Sequence, residues 1–417
     1  MVKRYSNNSV FLAALICIIL FYSGLIKLKD RNSYYSLIPV SKTLFLKGQM
    51  VSSPAKTSND KFYCAKLKVW NCAGQNVKSS AFGNVKIFIP SSQVEAFFPG
   101  KLYSAAKSGA LFEAGGIYSL KGHFGSDKQS FYVEQCLNSN FPNTLYGKLD
   151  YFRALCRLQF KRLMFSWGEA GGLLLALLCG AKEYTSSEVS LSFKNSGLSH
   201  ILALSGMHLS MFSGIALFFG KKIGRKKISF IIRVIALLLF VWFAGFSPSL
   251  LRAFICSILM IIASLANVKK PDMLLILAFS FLCQTMISPG DIYNAGFILS
   301  YSALAGILLT NKFFRSLYNH CLPGYFSASL GSSTGAQIFT APISLKLFGT
   351  FSPIGIIATS IVSPVVTVFI YSGLFLIVLC LVFPFLLKPS AFIINLEYTV
   401  IKFLTKLFSK AFYLKIK

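Results

Sequence analysis

A series of long apolar runs joined by short basic connections is the feature that most constrains how this chain folds. A bilayer core of about 30 Å is crossed by a helix of about 20 apolar residues. Beyond Ser190 the only acidic residues are Asp272, Asp291 and Glu397. The chain is therefore predicted to be a polytopic α-helical membrane protein. The predicted crossings are residues 198–220, 228–246, 250–266, 273–287, 295–310, 334–348, 353–370, 371–387 and 391–408.

Composition supports this class and restricts the partners. Of 417 residues, 54% are hydrophobic and 13% are charged, whereas soluble domains carry about 25% charged residues. The net charge of +29 suits a polyanion, which is either nucleic acid or anionic lipid headgroups. The alternative is that the excess lies in cytoplasmic loops, as is usual in membrane proteins.

The basic connections orient the predicted crossings. Residues 221–227, 269–270 and 312–315 carry lysine and arginine, whereas the alternate connections SPS and SPGD carry neither. Basic loops stay in the cytoplasm, which puts residues 190–196 outside. The lysines between residues 402 and 417 follow the last crossing and are expected inside.

The first apolar run predicts a membrane anchor over residues 1–28. Lys3 and Arg4 precede the run from Val10 to Ile26. The run is longer than a signal-peptide core of about 7 to 15 residues, and no cleavage site of small residues follows it. We expect a retained anchor with a cytoplasmic N-terminus.

Residues 29–150 have the composition of a soluble domain, predicted to lie on the extracytoplasmic side. In FYCAKLKVW and NVKIFIP apolar residues alternate with lysines, and LFLKGQMV, KLYSAA, IYSLKGHF and QSFYVEQC are further short segments. Five or six such strands predict a small closed β-barrel. Its outward residues could bind single-stranded nucleic acid, or form a solvated face on a spacer domain. The candidate DNA-binding residues are Lys66, Lys68, Trp70, Lys86 and Phe88.

Cysteine usage predicts one disulfide and no metal site. Most of the ten cysteines lie in apolar segments, where they act as small hydrophobic residues. If the β domain is extracytoplasmic, Cys64 and Cys72 are the predicted disulfide pair. No spacing of Cys and His indicates a metal, and no cofactor is expected.

Residues 151–197 predict two elements at the membrane surface. In residues 151–167 arginine and lysine alternate with large apolar residues, which is typical of a basic amphipathic helix on the bilayer. The apolar segment 171–181 is too short to cross, so a re-entrant element is expected. The polytopic bundle then follows over 198–417.

Polar residues within one predicted helix, SGLSHILALSGMHLSMFSG at residues 196–214, mark a candidate site. At 100° per residue His200, Ser205 and His208 share a broad side and could line a cavity. Gly206, Ser210 and Gly214 would form a face for close helix packing. Alternatively, the histidines and serines bond neighbouring helices. Ser205 with His208 also matches half of a hydrolase site, but no carboxylate that would orient the histidine is near in the sequence.

Further candidate lining residues lie in the later crossings. Arg252 is either an anchor that extends to the interface or a phosphate contact at a pore mouth, whereas Arg233 is expected to extend to the inner interface. Gln337 and Pro342, with Pro353 and Pro364, are expected to interrupt helices along a water-filled cavity. The remaining candidates are Asp291, Gly296 and Ser300.

These stretches resemble a known family. SGLSHILALSGMHLS resembles the signature of the ComEC family of competence proteins. SPSLLRA, SPGDIYNAGFILSYSALAG and QIFTAPISLKLFGTFSPIG are similar to later blocks of that family, in the same order. Residues 40–140 resemble its OB-like domain. Two departures are a single apolar segment before the β domain, where two are common, and Thr359, where asparagine is frequent.

The resemblance implies a channel in the cytoplasmic membrane that passes single-stranded DNA inward during natural transformation, rather than an enzyme. It implies as partners the lipid bilayer, a DNA receptor and a separate nuclease, since the HxHxDH cluster of the family's metallo-β-lactamase-like domain is absent from this sequence. No Walker A motif occurs, so a cytoplasmic motor or the proton gradient is expected to drive transport. The alternatives are a small-solute or lipid-linked transporter and an intramembrane hydrolase.

Overall fold

The computed structural model describes residues 9–23, 34–57, 59–75, 77–96, 110–181, 185–222, 224, 226–245, 247–410 and 414–415. The strands are β1 (Tyr35–Ser36), β2 (Phe45–Met50), β3 (Ala55–Lys56), β4 (Phe62–Ala73), β5 (Lys78–Phe82), β6 (Asn84–Pro90), β7 (Ile117–Phe124), β8 (Ser130–Asn140), β9 (Thr350–Phe351) and β10 (Leu414–Lys415).

The helices up to residue 287 are α1 (Ser9–Tyr22), α2 (Ser91–Glu95), α3 (Leu145–Ser166), α4 (Gly168–Cys179), α5 (Ser187–Asn195), α6 (Ser199–Leu202), α7 (Gly206–Lys222), α8 (Lys226–Ala244), α9 (Pro248–Leu265) and α10 (Met273–Ile287). Those that follow are α11 (Ala295–Asn319), α12 (Gly324–Phe348), α13 (Gly355–Val382) and α14 (Leu387–Ser409). A 3-10 turn, Pro289–Tyr293, joins α10 to α11.

The N-terminal domain contains the closed β-barrel that the sequence predicts. Strands β2, β4, β6, β8 and β7 pair in that cyclic order, and β7 closes onto β2. The pair β6–β8 is parallel, while the other four pairs are antiparallel. A closed sheet leaves no long unpaired edge, which suits a domain built from short strands.

Alternation along β4 sets the inside and the outside of the barrel, as predicted. Leu67 and its apolar neighbours at every second position are buried, and Lys66 and Lys68 are exposed. Beside Trp70 the pairing register shifts, since Lys47 pairs with Asn71 and the next residue of β2 with Val69. This bulge returns the following cysteine to the core. The segment KLYSAA lies outside the described residues.

The predicted disulfide between Cys64 and Cys72 is wrong. Both thiols are free, and both residues lie on β4. Eight residues of extended strand separate their Cα atoms by about 26 Å, whereas a disulfide requires less than about 7 Å. The rest of the strand pattern is correct, but two cysteines on one continuous strand cannot meet.

The sequence predicts that the cations of α3 face a bilayer surface, but three of them are buried in the protein. Arg157, Lys161 and Arg162 are all buried, at 4%, 4% and 5% exposure. Arg157 and Lys161 form ion pairs of 3.3 and 2.9 Å with the carboxylate of Glu113, which is buried in the β domain. Arg157 also donates to the main-chain carbonyl of Phe243. The cations of α3 therefore connect the barrel to the end of α8.

Among the described residues four helices are long and apolar enough to cross a membrane, namely Lys227–Ala244, Pro248–Leu265, Ala295–Asn319 and Gly355–Val382. Shorter apolar helices, α1, α4, α7 and α10, accompany them. Helix α4 is buried along almost its whole length and joins the largest apolar core. Tyr22 at the end of α1 donates to the carbonyl of Ile292, so this end of α1 lies beside the turn before α11. The protein is therefore an integral membrane protein.

The C-terminal part of the bundle differs from the prediction. Residues 355–382 form one helix, α13, rather than two crossings, and both α12 and α13 continue through Pro342 and Pro364. Both helices are continuous at their prolines, so the expected interruptions do not occur.

The last lysines lie at the end of the bundle that contains α5. Lys402 and Lys406 form ion pairs with Glu169 and Glu188. Strand β10 pairs with β9. Directly after β9, the hydroxyl of Ser352 donates to the carbonyl of Asn195, the last residue of α5. The lysines thus lie beside α5, near the start of α7, whereas Lys222 lies at the other end of α7. In the structure the two basic groups are therefore near opposite ends of α7 rather than together.

Candidate functional site

The stretch at residues 196–214 is not one helix. Helix α6 ends at Leu202, and α7 begins at Gly206. Residues 203–205 between them are extended or turned, so a continuous period of 100° per residue does not apply across the break. The side chains that the sequence placed on one face are therefore distributed differently.

Ser205 and His208 form the start of α7. The Nδ1 atom of His208 accepts a hydrogen bond of 3.2 Å from the main-chain N–H of Ser205, whose hydroxyl accepts from the N–H of Met207 at 3.3 Å. This exchange matches a capping box in which histidine takes the place of glutamate. Because Nδ1 accepts, a neutral ring carries its proton on Nε2.

The two histidines do not share a site. His208 is 1% exposed, and its Nε2 atom has no hydrogen-bond partner among the described residues. His200 lies on the short helix α6 with an exposed side chain. The expected lining by His200, Ser205 and His208 is thus reduced to the contact between Ser205 and His208, which caps a helix.

The small residues of α7 border a cleft. Gly206, Ser210 and Gly214, with Ser213, border a cavity of about 590 Å³ together with residues of α8, α9, α10 and α11. A Cβ added at Gly214 would meet no atom within 4 Å. The face of α7 that the sequence predicted for helix packing therefore borders an open volume, except at Gly206, which lies against Ala253 of α9. We call this cavity the cleft.

Among the residues that the structure describes, two arginines line the cleft and no acidic residue does. Arg252 on α9 donates through Nη1 to the main-chain carbonyl of Ser300 at 2.8 Å, while its buried Nε has no partner in the part of the chain that the structure describes. Arg233 on α8 donates through Nε and Nη2 to the hydroxyl of Ser213 at 3.3 and 3.2 Å. Arg233 therefore turns into the cleft rather than towards the inner interface.

A buried polar network holds the α9 end of the cleft. Gln284 on α10 donates to the carbonyl of Pro248 at 2.9 Å and to the carboxylate of Asp291 at 3.3 Å, and it accepts from the hydroxyl of Tyr301 at 3.1 Å. These bonds fix the start of α9 relative to α10 and α11, and so fix the position of Arg252. Gln284 and Tyr301 escaped the sequence analysis because each lies within an apolar run.

The other predicted lining residues lie away from the cleft. Gly296 donates its N–H to the side chain of Asn294 and so belongs to the start of α11. Gln337 lies against Gly355, where a Cβ would come within 2.7 Å of its amide nitrogen, and its Oε1 has no partner in the described ranges. Pro342 lies one turn further along α12. Of the later candidates, Arg252 and Ser300 are in contact with each other.

The outer face of the barrel brings together several of the predicted DNA-binding residues. Lys66 and Lys86 are opposite each other on β4 and β6. Phe88 stacks on Tyr132 with 5.0 Å between the ring centroids, and His123 stacks on the other side at 5.9 Å. Like charges opposite each other in a sheet repel unless an anion lies near. Trp70 is 37% exposed at the bulge.

Comparison with known proteins decides the family. A sequence profile described as Competence protein matches residues 177–416, which is more than half of the chain. The chain belongs to the ComEC family of competence proteins. The matched range contains the cleft and both arginines, while the barrel precedes it.

Two relatives match parts of the sequence of this competence protein. ComE operon protein 3 of Bacillus subtilis (strain 168) is 28% identical over 211 residues, which are 49% of this chain and 26% of the relative. An uncharacterized protein of Aquifex aeolicus (strain VF5) is 27% identical over 323 residues, 75% of this chain and 71% of the relative. The match thus spans about a quarter of the Bacillus relative. No solved structure matches significantly.

Proposed function

We propose that this competence protein is a channel that carries single-stranded DNA through the cytoplasmic membrane during natural transformation. The observation that carries the proposal is the cleft, with two guanidinium groups and no carboxylate among its lining residues. A strand with one negative charge per nucleotide needs polar and cationic groups in a region of low dielectric constant. Hydroxyls on α7 and the two arginines supply such groups in the bundle.

The barrel is proposed to receive the strand on the extracytoplasmic side, with the N-terminus in the cytoplasm. Its outward lysines and stacked rings offer charge for phosphates and flat surfaces for bases, as in other single-strand binders. The contact of Arg157 with Phe243 joins the barrel to the end of α8, close to the start of α9. A separate nuclease, a DNA receptor and a motor or the proton gradient are the proposed partners.

The experiment is a clean deletion of the gene, complemented by the intact chain. We expect deletion to abolish transformation by added DNA and the appearance of labelled single strands in the cytoplasm, while DNA still binds to the cell surface. Complementation should restore both. Normal transformation in the deletion strain, with pili and DNA binding intact, would end the proposal.

The cleft volume also suits a small anionic solute, which keeps a transporter as the second candidate. A cavity of about 590 Å³ lies within the range of small-molecule sites. A transporter would give saturable flux of a small anion into liposomes that contain the purified chain. The hydrolase alternative has less support. The hydroxyl of Ser205 lies 3.4 Å from Nδ1 of His208, but that nitrogen already accepts from the main-chain N–H of Ser205, and no carboxylate among the described residues contacts Nε2 to orient the ring.

A further inference from the structure

Arg233 and Arg252, which we call the arginine pair, lie at different depths of the cleft. A Cβ at Gly206 would lie 3.2 Å from Nη2 of Arg252, at the first turn of α7. Arg233 contacts Ser213, two turns further along the same helix. At 1.5 Å per residue, the two contact points are about 10 Å apart along α7.

The charges of the arginine pair are not balanced by protein groups. Neither guanidinium forms an ion pair with a carboxylate in the described part of the chain, and the partners that they do have are a hydroxyl and a main-chain carbonyl, both neutral. An arginine within a bilayer normally pairs or marks a functional path. No further hydrogen bond to either guanidinium is present among the described residues, and both side chains line the cleft together with Ser210 and Ser257.

We propose that the arginine pair holds two phosphates of one passing strand at once, with Arg252 as the first contact and Arg233 as the second. This inference rests on the proposed channel function. Guanidinium is the group best matched to phosphate oxygens. A separation of about 10 Å exceeds the 3.4 Å rise per nucleotide of a stacked strand, so the pair fits phosphates two or three nucleotides apart.

The order of the contacts follows from the fold. Arg252 lies in the second turn of α9, and the hydroxyl of Ser249 in the preceding turn donates to the carbonyl of Leu204 at 2.8 Å. That end of the bundle also contacts the barrel through Arg157. A strand that leaves the barrel therefore meets Arg252 before Arg233. Handing a phosphate between two fixed cations keeps the strand bound while it advances.

Cys256, which lines the cleft one turn after Arg252, supplies a probe that is already in the chain. The full chain in lipid nanodiscs is treated with an anionic and with a cationic methanethiosulfonate, and labelling of Cys256 is measured by mass spectrometry. We expect the ratio of anionic to cationic labelling rates to fall about tenfold in Arg233→Gln, because one of the two cations that line the cleft is lost. Arg233→Lys should keep the ratio. Arg315→Gln, an exposed arginine outside the cleft, is the matched control and should leave it unchanged.

Binding of a strand is tested in the same samples. An oligo(dT) added to the intact chain should slow labelling of Cys256, and Arg233→Gln should weaken this protection by about tenfold in oligonucleotide concentration. The same variant should lower uptake of labelled strands in cells, while Arg315→Gln should not. A wild-type Cys256 that neither reagent reaches, or a labelling ratio that Arg233→Gln leaves unchanged, would overturn the inference.

The two proposals fail separately. If Cys256 behaves as expected but the deletion strain transforms normally, the cleft is an anion site and the channel function is wrong. If the deletion abolishes uptake but the labelling ratio does not depend on Arg233, the channel stands and the arginine pair does not hold phosphate.

Discussion

His208 shows how a single side chain can hold a helix start in a region that excludes water. Its Nδ1 atom accepts from the N–H of Ser205, and the hydroxyl of Ser205 satisfies Met207 in return. Without these bonds two main-chain donors near the start of α7 would be buried without partners. The first turn of α7 carries Gly206 and with it one wall of the cleft.

Replacing His208 tests the cap. We expect His208→Leu to lower the free energy of unfolding by about 1 to 2 kcal/mol, because the N–H of Ser205 loses its acceptor. His208→Gln should recover much of the loss, since an amide oxygen at the third helical position also completes a capping box. Thermal unfolding in detergent measures both. Equal destabilisation by leucine and glutamine would contradict the capping role.

Glu113 lies at the centre of a buried cluster of charged side chains between the barrel and α3. Burial alone raises the pKa of its carboxyl, but Arg157, Lys161 and the hydroxyl of Ser53 lower it, and the pKa lies far below the usual value for glutamate. Removing one partner of a buried charge cluster costs about 3 to 5 kcal/mol. Glu113→Gln should therefore destabilise the junction of barrel and bundle by this amount.

An exposed ion pair elsewhere on the barrel is the control for Glu113, and the low pKa of Glu113 predicts how stability depends on pH. Glu134→Gln, which breaks an exposed pair with His123, should change stability by less than about 1 kcal/mol. Because the pKa of Glu113 is depressed by folding, its stabilising contribution is complete above the unfolded value of about 4.3 and declines as the pH falls towards the folded pKa. Denaturant melts between pH 7 and pH 3 should show this decline in the intact chain and not in Glu113→Gln.

At the residue scale, the sequence predicted which side chains are buried better than it predicted which side chains they contact. The alternation around Leu67 predicted the inner and outer faces of β4 correctly, because a strand period is local. The ion pairs of Glu113 with Arg157 and Lys161 join residues about 45 positions apart, and no periodicity indicates such a pairing. Glu113 within the apolar sequence ALFEAGG was the signal that could have suggested a buried partner.

At the scale of elements, α11 and α12 form the closest helix pair. A Cβ at Gly306 would lie 2.3 Å from the carbonyl oxygen of Gly335, so the two backbones touch where both residues lack side chains. This contact is small-residue packing of the kind that brings membrane helices close together, and Gly296 at the start of α11 takes no part in it. Packing without side chains replaces the hydrophobic effect, which is weak between helices in lipid.

Gly306→Ala should separate this pair. The added methyl group cannot fit, and overpacking costs about 1 to 3 kcal/mol. Gly324→Ala, at the start of α12, is the matched control: its Cβ meets no atom within 4 Å, and alanine is the better helix former. Unfolding in detergent should therefore show a loss for the first variant and no loss for the second. An unchanged melting temperature in Gly306→Ala would show that the helices do not approach so closely.

Helices and strands were predicted correctly where the apolar pattern and the turn residues agreed. Helix boundaries were predicted wrongly near prolines and at a short break in the chain. The sequence placed a boundary near Tyr371, yet the backbone of α13 continues, since nothing polar there stops it. It also drew one helix through Leu204, where the chain breaks for three residues. In both places the run of apolar residues does not distinguish a continuous helix from a broken one.

For the whole molecule, the contacts fix which ends of the helices lie together. The last turns of α14 approach α5 through Lys406 and Glu188, and β10 pairs with β9. An epitope tag after Lys417 should therefore be digested by protease from the same side as a tag in the turn at Asp127. A tag at His320, between α11 and α12, should be digested only from the other side. If the tags after Lys417 and at His320 share a side, α13 must be two crossings.

The length of α13 has a consequence for the surrounding lipid. Its 28 residues rise about 42 Å along the helix axis, whereas the hydrocarbon layer is about 30 Å thick. Such a helix either leans by about 45° or extends beyond the acyl chains, and α14 packs along it in the same apolar core. Bilayer thickness therefore acts on this pair directly: a thinner membrane increases the lean and a thicker one brings the pair upright.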